Sequence, residues 1–282
     1  MIKTREFKEH NYRGVWYKGK TIRIALDSNK PITELDYPEF YDVKITGHCE
    51  GQCPWCYMDS KKADHHYENI NQKIKDYFKP MSKNERPFQV AIGGGEPTSH
   101  PDFIESLKTF KELGIEPNYT TNGMWTSNPQ FIKPIIDATK KYCGGVAVSC
   151  HPHLKEYWER AAEEYYYNFI KLNFHLIISD KESIDYFADI YNRWKSEVDY
   201  FVLLPYGNQG RAEHKEVNWE YLVKSLPDNH NKLAFGANFY PNLIQEDHGI
   251  KVSLYEPEIM SKFLDLKDMG LYPSSFNLTK KL

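Results

Sequence analysis

Six short apolar runs, separated by segments of helical period, constrain this chain more than any other feature. The runs are Asp42–Thr46, Phe88–Ile92, Glu116–Thr120, Gly145–Cys150, Phe174–Ser179 and Tyr200–Leu204. Between them, Ile70/Ile74/Tyr77/Phe78, Phe103/Ile104/Leu107/Phe110, Phe131/Ile132/Ile135/Ile136, Trp158/Ala161/Ala162/Tyr165 and Ile184/Phe187/Ala188/Tyr191 each fall on one helical face. Strand-length runs alternating with helices predict repeated βα units on a parallel sheet. Right-handed crossovers then spread into a doubly wound sheet or curl toward a barrel, and in both cases ligands gather at the carboxyl ends of the strands.

The flanks are less regular. Gly14–Asp27 reads as a hairpin around Lys18-Gly19, and Lys232–Tyr240 with Lys251–Tyr255 read as late strands attached to the last helix. No repeat, low-complexity tract or Pro/Gly/Ser-rich linker separates domains. The expected organisation is an N-terminal extension over 1–40, a βα core over 41–211 and a C-terminal extension over 212–282 that packs on the core.

The loop after the first predicted strand carries the chemistry. His48-Cys49-Glu50-Gly51-Gln52-Cys53-Pro54-Trp55-Cys56-Tyr57 presents three thiols at Cx3Cx2C spacing. Three thiolates do not close a four-coordinate site, so a zinc ion or a cubic iron–sulfur cluster held here needs a fourth ligand or keeps one position open for a small molecule. His48 is a poor fourth ligand, because it adjoins Cys49 too closely for both to chelate one ion. Three of the five cysteines in one short loop argue for shared metal ligation and a reducing compartment rather than a secreted disulfide framework.

The remaining composition narrows the field. Met1 to Lys18 has no apolar core of signal-peptide length and no later run approaches a bilayer span, which predicts a cytoplasmic protein without a membrane partner. A net charge of −3 argues against general nucleic-acid binding, although a nucleotide substrate is compatible with it. Tyr165-Tyr166-Tyr167 and the other aromatics are read as helix–sheet packing rather than a stacking platform.

A second motif, Ile92-Gly93-Gly94-Gly95-Glu96-Pro97, ends the second predicted strand. Three glycines leave backbone groups open to close approach, so a small zwitterion can be gripped there; a tight turn without ligand is the plainer alternative. The run lacks both the G-x-G-x-x-G spacing and the Walker lysine, and so indicates neither a dinucleotide site nor a P-loop.

Together, the Cx3Cx2C loop after strand one and the Gly-Gly-Glu-Pro turn after strand two closely resemble the radical S-adenosylmethionine (radical SAM) superfamily, over about Tyr41 to Tyr206. The resemblance implies a partial (β/α)6 TIM-like barrel of α/β class with short N- and C-terminal β-containing extensions. It implies a [4Fe–4S] cluster on Cys49, Cys53 and Cys56, with the fourth iron chelated by S-adenosyl-L-methionine. It also implies that Trp55 lies against the cluster and adenine, and that Gly94, Gly95 and Glu96 contact the methionine amino group. Asn122 in Thr121-Asn122-Gly123, and Ser149 near the end of the fourth strand, stand where family members contact the ribose or carboxylate. An ordinary Asn-Gly turn and a polar strand residue are their alternatives. Strand alternation adds that Ala147, Ser149 and His151 share the barrel side while Val146, Val148 and Cys150 face the helices, making Cys150 a core thiol.

The implied activity is reductive cleavage of S-adenosylmethionine to a 5′-deoxyadenosyl radical that abstracts a substrate hydrogen atom, with a flavodoxin- or ferredoxin-like electron donor. His151 and His153 are candidate acid–base groups, and Arg211, in the turn Leu204–Arg211 that finishes the barrel, is a candidate clamp for a carboxylate or phosphate. With no cysteine beyond Cys150, no auxiliary cluster can be held by thiolates downstream, which favours redox-neutral outcomes such as epimerisation or rearrangement. The aromatic-rich segment Phe235–Tyr255, whose strands can pair with an extended chain, points to a peptide or protein substrate. The alternatives are the same chemistry on a nucleotide or other small molecule, and a non-catalytic zinc or iron–sulfur structural module.

Overall fold

The computed structural model describes residues 2–207, 209–212, 215–228, 231–236, 239, 257–278 and 281–282. All six predicted strands form, with ends shifted by at most two residues: β4 (Phe40–Thr46), β5 (Gln89–Gly94), β6 (Glu116–Thr121), β7 (Gly145–Ser149), β8 (Leu172–Ile178) and β9 (Tyr200–Pro205). Helices α1 (Ile70–Phe78), α2 (Phe103–Glu112), α3 (Pro129–Tyr142), α4 (Lys155–Tyr167) and α5 (Lys181–Trp194) alternate with them. Local chemistry sets the helix starts. Asn128 caps α3 by accepting from the Gln130 N–H with Pro129 in the first turn, and Asp180 caps α5 by accepting from the Ser183 N–H.

The strands lie in one open, mostly parallel sheet in the order β10-β9-β8-β7-β6-β5-β4-β11-β12, which is a partial barrel rather than a closed one. Its two edges come from the C-terminal part of the chain. After β9, helix α6 (Trp219–Ser225) crosses over to β10 (Leu233–Phe235), parallel to β9, while β11 (Ser261–Asp265) runs parallel to β4 and β12 (Gly270–Tyr272) antiparallel to β11. Of the two late strands expected from sequence, β10 lies within Lys232–Tyr240, and Lys251–Tyr255 lies outside the described residues. The sequence reading missed β11 and β12. They are short, and Lys262, buried as the second residue of the first and paired with Glu34 at 2.6 Å, hides its pattern.

A separate three-stranded antiparallel sheet, β1 (Ile2–Phe7), β2 (Tyr12–Tyr17) and β3 (Lys20–Ala25), precedes the barrel. The Lys18-Gly19 turn joins β2 and β3 as expected, with both residues in the left-handed region that two-residue hairpins use. β1 escaped detection because its inward residue is charged. Arg5 is 2% exposed, and its guanidinium donates to the carbonyls of Tyr37, Pro38, Asn84 and Glu85.

Strand parity divides the main sheet. Tyr41, Val43, Ile45, Val90, Ile92, Tyr119, Val146, Val148, Leu172, Phe174, Leu176, Phe201 and Leu203 join the buried faces of α1 to α5 in one core. Two residues expected on those helix faces are exposed instead. Ile104 sits beside the Phe103/Leu107/Phe110 stripe, and Phe131, 53% exposed, lies in the first turn of α3, ahead of the buried Ile135 and Ile136. The opposite face carries Asp42, Lys44, Gly93, Asn118, Thr120, Ser149, Asn173 and His175, all partly exposed, with the apolar Ile177, Val202 and Leu204 on β8 and β9, so the inside of the half-barrel is largely polar over β4 to β8 and open to a ligand.

Candidate functional site

The cysteine loop leaves β4 at its carboxyl end and is fixed from several sides. Cys49 N–H donates to the Lys61 carbonyl at 3.1 Å, and the turn Cys53–Cys56 closes through a 3.2 Å bond from the Cys56 N–H to the Cys53 carbonyl. The glycine turn after β5 lies directly against the start of this loop: Gly95 N–H donates to the Thr46 carbonyl and Glu96 N–H to the His48 carbonyl, both at 2.8 Å. A Cβ on Gly95 would lie 2.0 Å from the His48 oxygen and one on Gly94 2.4 Å from the Thr46 oxygen, with Gly94 at φ +120°. These two glycines are therefore required by packing of two backbones, while Gly93, with nothing within 4 Å of its Cβ position, faces open space.

Glu96 is buried and points away from that space. Its Oε1 accepts from the Thr98 N–H at 3.2 Å, the Thr98 hydroxyl at 2.5 Å and the Thr121 hydroxyl at 2.8 Å, and its Oε2 accepts from the Asn122 N–H at 2.8 Å. Burial raises its pKa, and these donors partly offset the rise. The side chain thus ties the loop after β5 to the loop after β6, rather than presenting a free carboxylate to a ligand's ammonium group.

Arg211 is likewise taken up by the protein. Its Nε donates to the Cys53 carbonyl at 3.2 Å, Nη1 to Asp59 at 2.8 Å and Nη2 to the Ser60 carbonyl at 2.9 Å, and its own N–H donates to the Cys56 carbonyl. The expected clamp for a substrate anion is a clamp on the cysteine loop. His153 does similar work from the loop after β7, its Nε2 lying 3.0 Å from the Gly51 carbonyl.

Trp55 and His151 meet, as their shared position at the barrel mouth requires. The indole N–H donates to His151 Nδ1 at 3.3 Å, and the Trp158 N–H donates to the His151 carbonyl at 3.1 Å. Because Nδ1 accepts, the His151 proton sits on Nε2. Burial, with His153 and His175 nearby, pushes its pKa down to about 3, so the ring is neutral near neutral pH. The indole also lies edge-on to His153 and Tyr206, at centroid distances of 5.3 and 6.4 Å. Ser149 is on the inner face as expected, and Cys150 is in the core with Val146 and Val148.

Other site residues were not singled out from sequence. His175 sits beside Ser149 in the β7–β8 register and is pushed down to about 4 by burial. Asp42 lies on the inner face of β4, where burial raises its carboxyl to about 7. The parity that placed Ser149, applied to β4 and β8, finds both. Beside the loop, His66 lies tilted against His48 and edge-on to His100, at centroid separations of 4.7 and 5.1 Å, a contact between distant segments that no local spacing announces.

The three thiols suit a cubic cluster. Each of Cys49 and Cys53 feels the charge of neighbouring cysteines, and burial pushes their pKa values up to about 11 and 12, so ligation by thiolate releases protons. Among the described residues no three His, Cys, Asp or Glu side chains converge as ligands of a single ion. A [4Fe–4S] cube needs no such convergence, since each thiolate takes its own iron. Soft donors on one loop and open space over Gly93 fit a cluster with one accessible iron.

These features define a three-cysteine site at the carboxyl edge of an open, mostly parallel half-barrel. Residues 43–151 match the model of the Radical SAM superfamily, a family that uses a [4Fe–4S] cluster and S-adenosylmethionine. The chain is similar to a 7,8-dihydro-6-hydroxymethylpterin dimethyltransferase from Methanocaldococcus jannaschii, with 27% identity over 99 residues, 34% of this chain and 20% of the relative. It is also similar to a probable GTP 3′,8-cyclase from Saccharolobus solfataricus, with 31% identity over 85 residues, 29% of this chain and 26% of the relative. In fold it resembles SuiB of Streptococcus suis bound to the precursor peptide SuiA, with a TM-score of 0.64 and 15% identity over 85% of this chain and 60% of SuiB. A second fold neighbour is anSMEcpe with bound AdoMet and a Cp18Cys peptide, with a TM-score of 0.58 and 15% identity over 86% of this chain and 75% of that one. The chain thus spans about a quarter or less of the curated relatives it matches. Among the described residues no helix is long and apolar enough to cross a membrane.

Proposed function

We propose that this chain is a radical SAM enzyme acting on a peptide or protein substrate, with residues 41–211 as its catalytic core and the flanking segments as extensions. The observation that carries the reading is the juncture of the Cys49/Cys53/Cys56 loop with the Gly93–Glu96 turn at one end of an open, largely polar half-barrel. When bound and reduced, the cluster supplies the electron that cleaves S-adenosylmethionine to a 5′-deoxyadenosyl radical, and that radical takes a hydrogen atom from substrate. The chain's own work is placement and exclusion. Cys49, Cys53 and Cys56 would hold three irons, and the Gly93–Gly95 backbone, with Glu96 tied behind it, would form the methionine side. Trp55, locked by His151, walls the adenine side. Ser149 and Asn122 edge the same opening, and Asn118, Thr120, Asn173, His175 and Asp42 line the interior where substrate lies. Electrons come from a flavodoxin- or ferredoxin-like donor.

The peptide assignment is supported by the peptides held by SuiB and anSMEcpe on the same fold. The segment that first motivated it, Phe235–Tyr255, lies almost wholly outside the described residues. A small-molecule substrate is favoured instead by the sequence relatives, named for a pterin and for GTP. The test is 5′-deoxyadenosine formation by anaerobically reconstituted protein with S-adenosylmethionine and dithionite, against a variant with all three loop cysteines changed to Ala. Wild-type turnover that linear peptides accelerate supports the proposal; acceleration by nucleosides or pterins alone transfers it to small molecules. Iron-loaded protein that makes no 5′-deoxyadenosine removes the catalytic reading.

A further inference from the structure

Of the three cysteine sulfurs, Cys49 is singled out by its surroundings. It receives the Gly51 N–H at 3.4 Å, and the Asn122 side-chain nitrogen lies 3.7 Å away from it. For Cys53 the nearest hydrogen-bonding contact runs the other way, from its sulfur toward the Gly51 carbonyl at 3.9 Å. The orientation of the Asn122 amide is decided by its other end. Oδ1 accepts from the Met124 N–H at 3.0 Å, so the NH2 group and not the oxygen faces the sulfur.

The backbone that carries Asn122 is fixed as well. Glu96 Oε2 holds the Asn122 N–H at 2.8 Å, while its other oxygen holds the hydroxyl of Thr121, which in turn accepts from the Gly123 N–H at 3.1 Å. Residue 51 leaves the amide its path. A Cβ on Gly51 would stand 3.1 Å from Asn122 Nδ2 and 3.4 Å from Cys49 Sγ, in the space between them.

We infer that Asn122 is a positioning residue for the cluster's redox poise: its amide donates to the Cys49 thiolate, and Glu96 and Gly51 exist in this arrangement to hold that contact. A donor to a ligating sulfur withdraws negative charge from the cluster and makes the reduced form easier to reach. The inference rests on the reading that Cys49 ligates an iron. It goes beyond it by giving Asn122 to the sulfur, where the sequence resemblance had given it to the ribose or carboxylate of S-adenosylmethionine, and by explaining why the Gly-Gly-Glu-Pro carboxylate faces β6.

The test is a stepwise reductive titration of anaerobically reconstituted protein without S-adenosylmethionine, followed by cluster absorbance at matched iron content. Asn122→Ala deletes the donor without adding charge; Asn122→Asp keeps the acceptor for Met124 N–H and replaces the donor with an oxygen. Both variants are expected to titrate at a more negative potential than wild type. Unchanged potentials overturn the inference, and so does a shift in the Asp variant alone, which is a charge effect. Should the variants lose the cluster while wild type keeps it, wild type labelled with 15N in the asparagine side-chain amide decides. Hyperfine coupling of that nitrogen to the reduced cluster in pulsed EPR supports the contact, and its absence rejects it. Wild-type protein that takes up no iron overturns the cluster reading itself, an outcome separate from all of these.

Discussion

The two faces of the one sheet obey opposite rules. Toward the helices, alternate strand residues are large, apolar and buried, from Tyr41 and Val43 on β4 to Phe201 and Leu203 on β9. Toward the barrel interior, the residues between them include the small or polar, partly exposed Asp42, Gly93, Asn118, Thr120, Ser149, Asn173 and His175, with the apolar Ile177, Val202 and Leu204 on β8 and β9. A shift of one residue in any strand would exchange the two sets, so the apolar face fixes the register and the register delivers the polar face to the site. Stability and function are thereby assigned to opposite parities of the same strands.

Changes on the two faces should separate accordingly. The largest effect is expected at the loop that crowns the inner face: Cys49, Cys53 and Cys56 changed together to Ala should abolish both iron uptake and 5′-deoxyadenosine formation, while the far-UV circular dichroism of the apoprotein stays as in wild type. Next comes the outer face. Phe174→Ala or Trp158→Ala removes a fully buried ring from the core and should cost about 3–5 kcal/mol in urea unfolding, with iron content per folded molecule unchanged.

Asp42, on the inner face of β4, is expected to respond with the opposite sign. Its carboxyl titrates at about 7 when folded against an ordinary value of 3.8, so between those values the folded chain binds the extra proton and stability falls as pH rises. Asp42→Asn should flatten that slope and stabilise the protein above pH 7 by on the order of 2–4 kcal/mol, read from unfolding midpoints across pH 4–8. Arg211→Met, which removes three donors from the cysteine loop, should cost about 1–2 kcal/mol and hasten iron loss to a chelator. Phe131→Ala should lie within about 0.5 kcal/mol of wild type, since the ring is mostly in water although its periodicity matches the buried stripe. A large loss there would mean that α3 is packed differently from the description above.

Periodicity made the parallel core legible, because βα alternation repeats the same local signal six times. The cysteine loop and the glycine turn were legible because each is contiguous in sequence. What escaped were pairings between distant segments. β11 finds β4 across more than two hundred residues, and β1 is held by a buried arginine rather than by apolar alternation. The contacts that Glu96 and Arg211 make within the protein were not legible for a related reason. A charged residue beside a ligand loop reads as facing the ligand, and only the fold reveals that Glu96 serves the β6 loop and Arg211 the cysteine loop. His151 follows β7, and its bond from Trp55, which fixes its tautomer, joins residues 96 positions apart.

The central claim is that three thiols hold a cluster whose remaining iron is open to S-adenosylmethionine. The most direct measurement is the EPR spectrum of the reduced, anaerobically reconstituted protein before and after addition of S-adenosylmethionine. A [4Fe–4S] signal whose g-values shift on addition is expected, as the open iron takes its ligand. A colourless protein binding one zinc per chain, or a cluster signal that S-adenosylmethionine leaves unchanged, would contradict the claim.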